Sequence, residues 1–107
     1  MATSEANGSQ TATISTEHTL ATVTTAGTFV LHVDLVNMAN DDELELRVKL
    51  KVRSTGTTRE YQLARFMHAQ AQEVVASIPV ASPHECVFTL KQVAGTGRSY
   101  NWEVVKL

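Results

Sequence analysis

The feature that most constrains the fold of this chain is an alternating segment, Glu43–Arg53. Apolar residues occupy every second position, and charged residues occupy the positions between them. This period of two is typical of a β-strand with one buried and one solvated face, because a helix would distribute the same apolar side chains around its circumference. The segment therefore predicts a central β-strand. Its apolar positions are Leu44, Leu46, Val48, Leu50 and Val52.

The remaining segments also predict strands, separated by short turns rich in Gly, Asn and Ser. No amphipathic helix is predicted, although residues 69–75 are compatible with a helical turn or a loop. We expect a single β-sandwich of jelly-roll or immunoglobulin-like type, with six to eight antiparallel strands. Pro79 and Pro83 indicate an edge or crossover segment, since proline cannot donate to a central ladder. The other predicted strands are 13–25, 28–36, 59–68, 85–92 and 99–107.

Residues 1–12 differ in composition from the rest of the chain. They are almost all Ala, Thr, Ser, Gly, Asn and Gln, and such a segment buries too little apolar surface to offset its ordering entropy. The sequence predicts an extended polar N-terminal arm, disordered in isolation and held by a neighbouring subunit when ordered. Residues 13–107 would then form the β-sandwich domain.

Charge is distributed unevenly along the chain. Residues 1–46 contain seven acidic residues and no Lys or Arg, whereas residues 47–107 contain nine Lys and Arg against four acids. Either acidic and basic strands pair inside one sheet, or complementary patches favour head-to-tail contacts between copies. With a formal net charge of −2, the chain is not expected to bind nucleic acid, since such proteins are normally basic.

Composition also bears on compartment. No apolar run approaches the length of a membrane span, and the first residues lack the basic and apolar regions of a secretory signal, so no membrane association is expected. A lone cysteine, Cys86, excludes an intramolecular disulfide, and its apolar neighbours predict core packing.

The most suggestive polar feature is the basic row on the solvated side of the alternating segment. As ordinary structure, these side chains pair with Glu60 or with acids of residues 32–45 across the sheet. As a functional site, they would meet an acidic protein surface or, less readily, phosphates. The row is the candidate interface, and its members are Arg47, Lys49, Lys51 and Arg53.

Other possible chemistries are poorly supported by the sequence. His32 and Asp34 share a strand face, but two ligands are too few for a closed metal site. The Gly95–Gly97 segment leads into a strand and predicts a hairpin turn instead of a phosphate loop. Residues 40–43 lack the spacing of a calcium loop and predict a solvated turn. No strand-to-helix elbow supports a serine hydrolase, and Tyr100 and Trp102 are expected in the core.

Three segments together carry a resemblance. The run Leu-Lys-Gln-Val-Ala-Gly-Thr-Gly-Arg at 90–98 lies within the C-terminal stretch 87–107, and residues 24–31 and 43–48 add to it. The chain resembles small structural proteins encoded among tailed-phage virion genes, which are similar to one another over nearly their whole length. The resemblance implies a virion component and carries over no functional residues.

The expected function is therefore structural. The leading expectation is a capsid decoration or cement protein, oligomeric, bound to the major capsid protein on the virion surface after synthesis in the host cytoplasm. The alternative is a neck or tail accessory, or a fibre-adaptor module that binds protein or glycan. No enzymatic activity, cofactor, metal or small-molecule substrate is expected.

Overall fold

Nine antiparallel strands in two packed sheets form this protein, as described by a computed structural model covering residues 2–107. The first sheet has the order β1-β9-β3-β6, with β7 also paired to β3, and the second has the order β2-β8-β4-β5. The strands are β1 (Thr3–Thr11), β2 (Glu17–Val23), β3 (Gly27–Asp34), β4 (Glu43–Lys51), β5 (Thr58–Met67), β6 (Val74–Ala76), β7 (Val80–Ser82), β8 (Glu85–Ala94) and β9 (Ser99–Lys106).

The strand order is that of a jelly roll. The first half of the chain pairs antiparallel with the second half, as in one long hairpin. The pairs are β1 with β9, β2 with β8, β3 with β6 and β7, and β4 with β5. Rolling this hairpin up places β9 beside β3 and β8 beside β4, closing the two sheets. The predicted all-β sandwich is confirmed. The strand number exceeds the predicted six to eight because β6 and β7 share one position.

The alternation in β4 places its apolar side chains in the core. Leu44, Leu46 and Val48 are buried between the sheets, and each fully buried leucine contributes about 1.5–3 kcal/mol relative to an exposed one. Val52 follows the same alternation but is 76% exposed, because β4 ends at Lys51. The chain turns there, with the Gly56 amide donating to the Arg53 carbonyl at 2.9 Å.

Inward-facing residues of the other strands complete the core. Alternate positions of β3 and β9 face the opposite sheet, as the sequence predicts, and Cys86 of β8 is fully buried among them. The fully buried side chains from these strands include Phe29, Leu31, Val33, Phe88, Leu90, Tyr100 and Val104.

The polar N-terminal segment is part of the sandwich, which corrects the prediction of an arm held by a neighbouring subunit. Met1 lies outside the described residues, but Thr3–Thr11 forms edge strand β1, running antiparallel to β9 from the Thr3–Lys106 pair to the Thr11–Ser99 pair. The Trp102 indole lies against Gly8, at 3.3 Å from the position a Cβ atom would take. Backbone pairing orders this strand even though its side chains bury little surface.

The proline-containing segment forms an interrupted edge beside β3. Residues 69–73 are a loop, and β6 and β7 are separated by Ser77–Pro79. Within this break the Leu31 amide donates to Ser77 Oγ at 2.9 Å, and the Ser77 amide donates to the Leu31 carbonyl at 2.9 Å. Ser77 thus keeps the edge attached where Pro79 cannot donate, as predicted for an edge segment. No helix in residues 2–107 is long and apolar enough to cross a membrane.

Candidate interaction surfaces

The outward surface of the β2-β8-β4-β5 sheet, called here the charged face, carries equal numbers of acids and bases. Strand register places five carboxylates and five cations on it. The acids are Glu17, Glu43, Glu45, Glu60 and Glu85, and the bases are Arg47, Lys49, Lys51, Arg65 and Lys91.

Arginine and glutamate form a chain of ion pairs across the charged face. Arg47 Nη1 lies 2.8 Å from Glu45 Oε1, and Arg47 Nε lies 2.9 Å from Glu60 Oε1. Arg65 Nε lies 2.9 Å from Glu45 Oε2. The Glu45 carboxylate, 8% exposed, is therefore held between two guanidinium groups, an arrangement that satisfies its buried charge.

Lysines complete the pairing along β4. Lys49 Nζ lies 3.1 Å from Glu17 Oε2, and Lys51 Nζ lies 3.5 Å from Glu85 Oε2. The buried Thr89 hydroxyl donates to Glu17 Oε2 at 2.6 Å, and this hydrogen bond, helped by Lys49, lowers the pKa of Glu17. Burial acts to lower the pKa of Arg47, but its bonds to the two glutamates outweigh burial and raise it.

These pairs bear directly on the predicted basic row. Arg47, Lys49 and Lys51 have their charges compensated within the chain, while Arg53 is exposed in the β4–β5 loop and forms no ion pair among the described residues. Of the six ion pairs within the described residues, four join an acid of residues 1–46 to a base of residues 47–107. The acids of the first part of the chain and the bases of the second part thus largely neutralise one another inside the domain. The docking role of the row stays a prediction.

The outward surface of the other sheet, called here the polar face, is different. Its positions are mostly Ser, Thr, Asn and small apolar residues, and register places no Lys or Arg there in the described strands. The strand register places the carboxylates of Asp34 and Glu103 on this face, and neither forms an ion pair within residues 2–107. Other outward positions are Ser4, Asn7, Ser9, Thr11, Thr28, His32, Ser99 and Asn101.

A shallow open groove of about 290 Å³ runs across the polar face. Its walls come from neighbouring strands, because His32 is directly opposite Glu103 in the β3–β9 ladder and Asp34 is opposite Val74 of β6. Asp34 Oδ1 also accepts the Val36 amide at 3.0 Å. The His32/Asp34 pair noted in the sequence therefore lies at this groove, but no group of three metal-ligating side chains occurs in the described part of the chain.

Two further histidines form side-chain hydrogen bonds, His18 at the start of β2 and His68 just after the end of β5. His18 Nε2 accepts the Thr13 amide at 3.0 Å, and His68 Nδ1 accepts the Asp41 amide at 3.0 Å. Both Asp41 and His68 have positive φ, at 76° and 65°. These imidazoles shape the chain around the strand ends, and they do not converge with His32.

A buried aspartate, not anticipated from the sequence, joins the β3–β4 loop to the β8–β9 loop at one end of the sandwich. Asp42 is 2% exposed, so the predicted solvated turn at residues 40–43 is wrong at this position. Its carboxylate accepts the Ala39 amide at 2.9 Å, the Thr96 amide at 3.1 Å and Arg98 Nε at 2.9 Å. Burial acts to raise the pKa of Asp42, but these donors outweigh it and lower the pKa.

The glycine-containing loop was predicted to be a hairpin turn, and this prediction is wrong: the loop connects the two sheets. It links β8 of one sheet to β9 of the other, and Gly95, at φ 92°, packs so closely on Asp42 that a Cβ atom would lie 2.1 Å from Oδ1. The loop amide that could bind an external anion is occupied by the carboxylate of Asp42.

Gln92 and Tyr100 support the same loop from the core side. Gln92 donates to the Thr96 carbonyl at 2.6 Å and accepts the Arg98 amide at 3.1 Å. The Tyr100 hydroxyl donates to Gln92 Oε1 at 3.0 Å, and burial raises the pKa of Tyr100 to about 12. Tyr100 is in the core as predicted, and Trp102 is half-buried against it. The contacts of Gln92 are local in the sequence, but the loop is joined to Asp42 across 54 and 56 positions, and no local signal reveals that link.

Exposed apolar side chains gather along β5 and the segment facing it. Tyr61, Leu63 and Met67 project from β5, and Val74 and Ile78 from the β6–β7 segment. The cleft between these strands, lined by Leu46, Phe66 and Val75 among others, has a volume of about 20 Å³, which is enough for about one water molecule. This side of the sandwich offers surface contacts more than a ligand cavity.

Comparison of the chain with models of known protein families, with curated proteins and with solved structures finds no match.

Proposed function

We propose that this protein is a structural component of a tailed-phage virion, a decoration protein that binds the major capsid lattice and stabilises it. Supporting the proposal are the segmental resemblance at residues 24–31, 43–48 and 87–107, and a jelly roll whose two broad sheet faces are open to contact. A decoration protein works by spanning subunit boundaries, so its binding free energy opposes their separation.

The observation that carries the proposal is the contrast between the two faces. On the charged face, most cations and carboxylates already satisfy one another. On the polar face, Asp34 and Glu103 are uncompensated and lie among short hydroxyl and amide side chains that can bond to a flat partner surface. The polar face is thus the better docking surface, and its partner would present basic side chains.

The test is binding to purified particles lacking the protein. We expect saturable co-sedimentation at a fixed stoichiometry, and decorated particles should withstand higher temperature or lower salt than bare ones. Binding should weaken as ionic strength rises, since opposed charges are screened. Recovery of the protein only in the soluble fraction at every ratio would refute the proposal.

Charge-reversal variants locate the docking surface. Glu103→Lys should reduce particle binding at least about tenfold, a change of about 1.4 kcal/mol, whereas the matched variant Glu43→Lys on the charged face should bind normally. Reversal at Lys49 and Lys51 tests the basic row predicted from the sequence. A loss confined to that double variant would transfer docking to the charged face.

A second candidate is a neck, tail or fibre-adaptor module that binds protein or glycan. The groove lined by His32, Asp34, Asn101 and Glu103 favours it, because carboxylates and amides are common hydrogen-bonding partners of sugar hydroxyls. Glycan binding that is lost in Asn101→Ala, combined with no affinity for capsid particles, would select this function instead.

A further inference from the structure

Strand β5 ends its sheet with an unpaired edge. Its ten residues pair only with β4, and no other described strand pairs with its far side. A long free edge presents backbone donors and acceptors that can pair with another extended chain.

The outward side chains of β5 distinguish it from the other edges. Tyr61, Leu63 and Met67 are exposed apolar residues on the outward side, and the Arg65 side chain between them is 61% exposed. Tyrosine, methionine and arginine are enriched at the centres of protein interfaces. Edge strands β1 and β2 are polar on the corresponding side, and β6 and β7 have three residues each.

We infer that β5 pairs with β5 of a second copy, antiparallel about a two-fold axis at Leu63. In that register Leu63 faces Leu63 of the other copy, and Tyr61 faces Arg65 of the other copy twice, once on each side of the axis. Leucine against leucine excludes water, and a guanidinium over a tyrosine ring is an attractive cation–π pair. Gln62 meets Ala64 on the inward side, so the alternation matches in both copies.

Self-complementarity identifies the occupant as a second copy of this chain. A two-fold axis at Leu63 places each residue opposite the residue equally far beyond Leu63 in the other copy. Between Tyr61 and Arg65, no like charges face one another in this arrangement. The β4–β5 ladder is irregular between Val48 and Lys49, where Tyr61 has no partner in β4, and the two-fold axis repeats this irregularity at both ends of the paired region. The paired region is therefore short, and the dimer should form in a concentration-dependent way.

Sedimentation equilibrium over a wide concentration range tests this inference without any capsid, so its outcome is independent of the proposed function. The mean mass should rise from 11.7 kDa towards twice that value. Leu63→Lys places two ammonium groups at the axis and should weaken association at least about tenfold. The matched control, Thr19→Lys, adds the same charge on the other edge strand of the sheet and should associate normally. A protein that stays monomeric throughout, or equal behaviour of the two variants, would overturn the inference.

Cross-linking tests the register directly. Opposed residues of an antiparallel ladder have Cβ atoms about 4.5–5.5 Å apart, close to what a disulfide spans. Leu63→Cys should therefore form a covalent dimer under mild oxidation, whereas Thr19→Cys should not. Native Cys86 is buried and should not form a disulfide between copies. Leu63 is 37% exposed, so both variants should fold. Failure of Leu63→Cys to cross-link while folded, or equal cross-linking of Thr19→Cys, would exclude pairing at this axis.

Discussion

Substitution of Asp42 tests whether one buried carboxylate holds together an end of the sandwich. In Asp42→Ala, the amides of Ala39 and Thr96 and the guanidinium of Arg98 lose their acceptor together. Removing one partner of a buried, hydrogen-bonded ion pair costs about 3–5 kcal/mol, and the amides left without an acceptor contribute part of this loss. We expect the free energy of unfolding to fall by about 3–5 kcal/mol.

Urea unfolding measures this loss, with the midpoint falling and the slope unchanged. Asp42→Asn should cost less than Asp42→Ala because it keeps one acceptor oxygen. Arg98→Ala should also cost less, since the carboxylate would retain two amide donors. Glu43→Ala, a control at the neighbouring position, should stay within about 0.5 kcal/mol of the parent. A loss below about 1 kcal/mol for Asp42→Ala would refute the reasoning.

The lowered pKa of Asp42 adds a pH signature. A carboxyl whose folded-state pKa lies below its ordinary value of 3.8 contributes stability that is fully present above that value. The contribution is lost as pH falls through the folded-state pKa. Asp42→Asn should remove this part of the acid destabilisation, so the stabilities of parent and variant should converge at low pH. Parallel curves down to the lowest pH would contradict the assignment.

Further outcomes follow from the core, the buried phenol and the edge strand. Leu44→Ala should cost about 2–5 kcal/mol in urea unfolding, whereas Val52→Ala, in the same alternation but exposed, should stay within about 0.5 kcal/mol. Tyr100→Phe should cost about 1 kcal/mol by depriving Gln92 of a donor. In the parent, absorbance should show the Tyr100 phenol ionising near pH 12. The stability that its raised pKa contributes should be lost as pH rises above the ordinary tyrosine pKa of 10.0. Deleting residues 2–11 should expose the β9 edge and raise hydrogen exchange at the β9 amides bonded to β1; unchanged exchange there would contradict the pairing.

The local sequence pattern predicted much of the fold, because the alternation that specifies a strand involves only residues that are adjacent in the sequence. The alternation at residues 43–51 specifies a strand and its buried face regardless of the rest of the chain. The same holds for Phe29, Leu31 and Val33. Alternation does not mark where a strand ends, however, because Val52 continues the pattern after β4 has ended.

The candidate surfaces depended on which strands become neighbours. Composition predicted a disordered arm for residues 1–12, because composition indicates only how much apolar side-chain surface a segment can bury. It does not indicate backbone pairing, and hydrogen bonding to β9 orders Thr3–Thr11. In the same way the basic row was visible, but its partners Glu17 and Glu85 come from strands far away in the chain.

The sequence by itself determined an all-β sandwich, its central strand and the residues that fill its core, because these follow from periodicity and hydrophobicity. Only the tertiary structure decided the jelly-roll strand order, the compensation of the basic row and the junction at Asp42. Asp42 and Arg98 are 56 positions apart, and hydrogen bonds and ion pairs over such separations exist only once the sheets have packed.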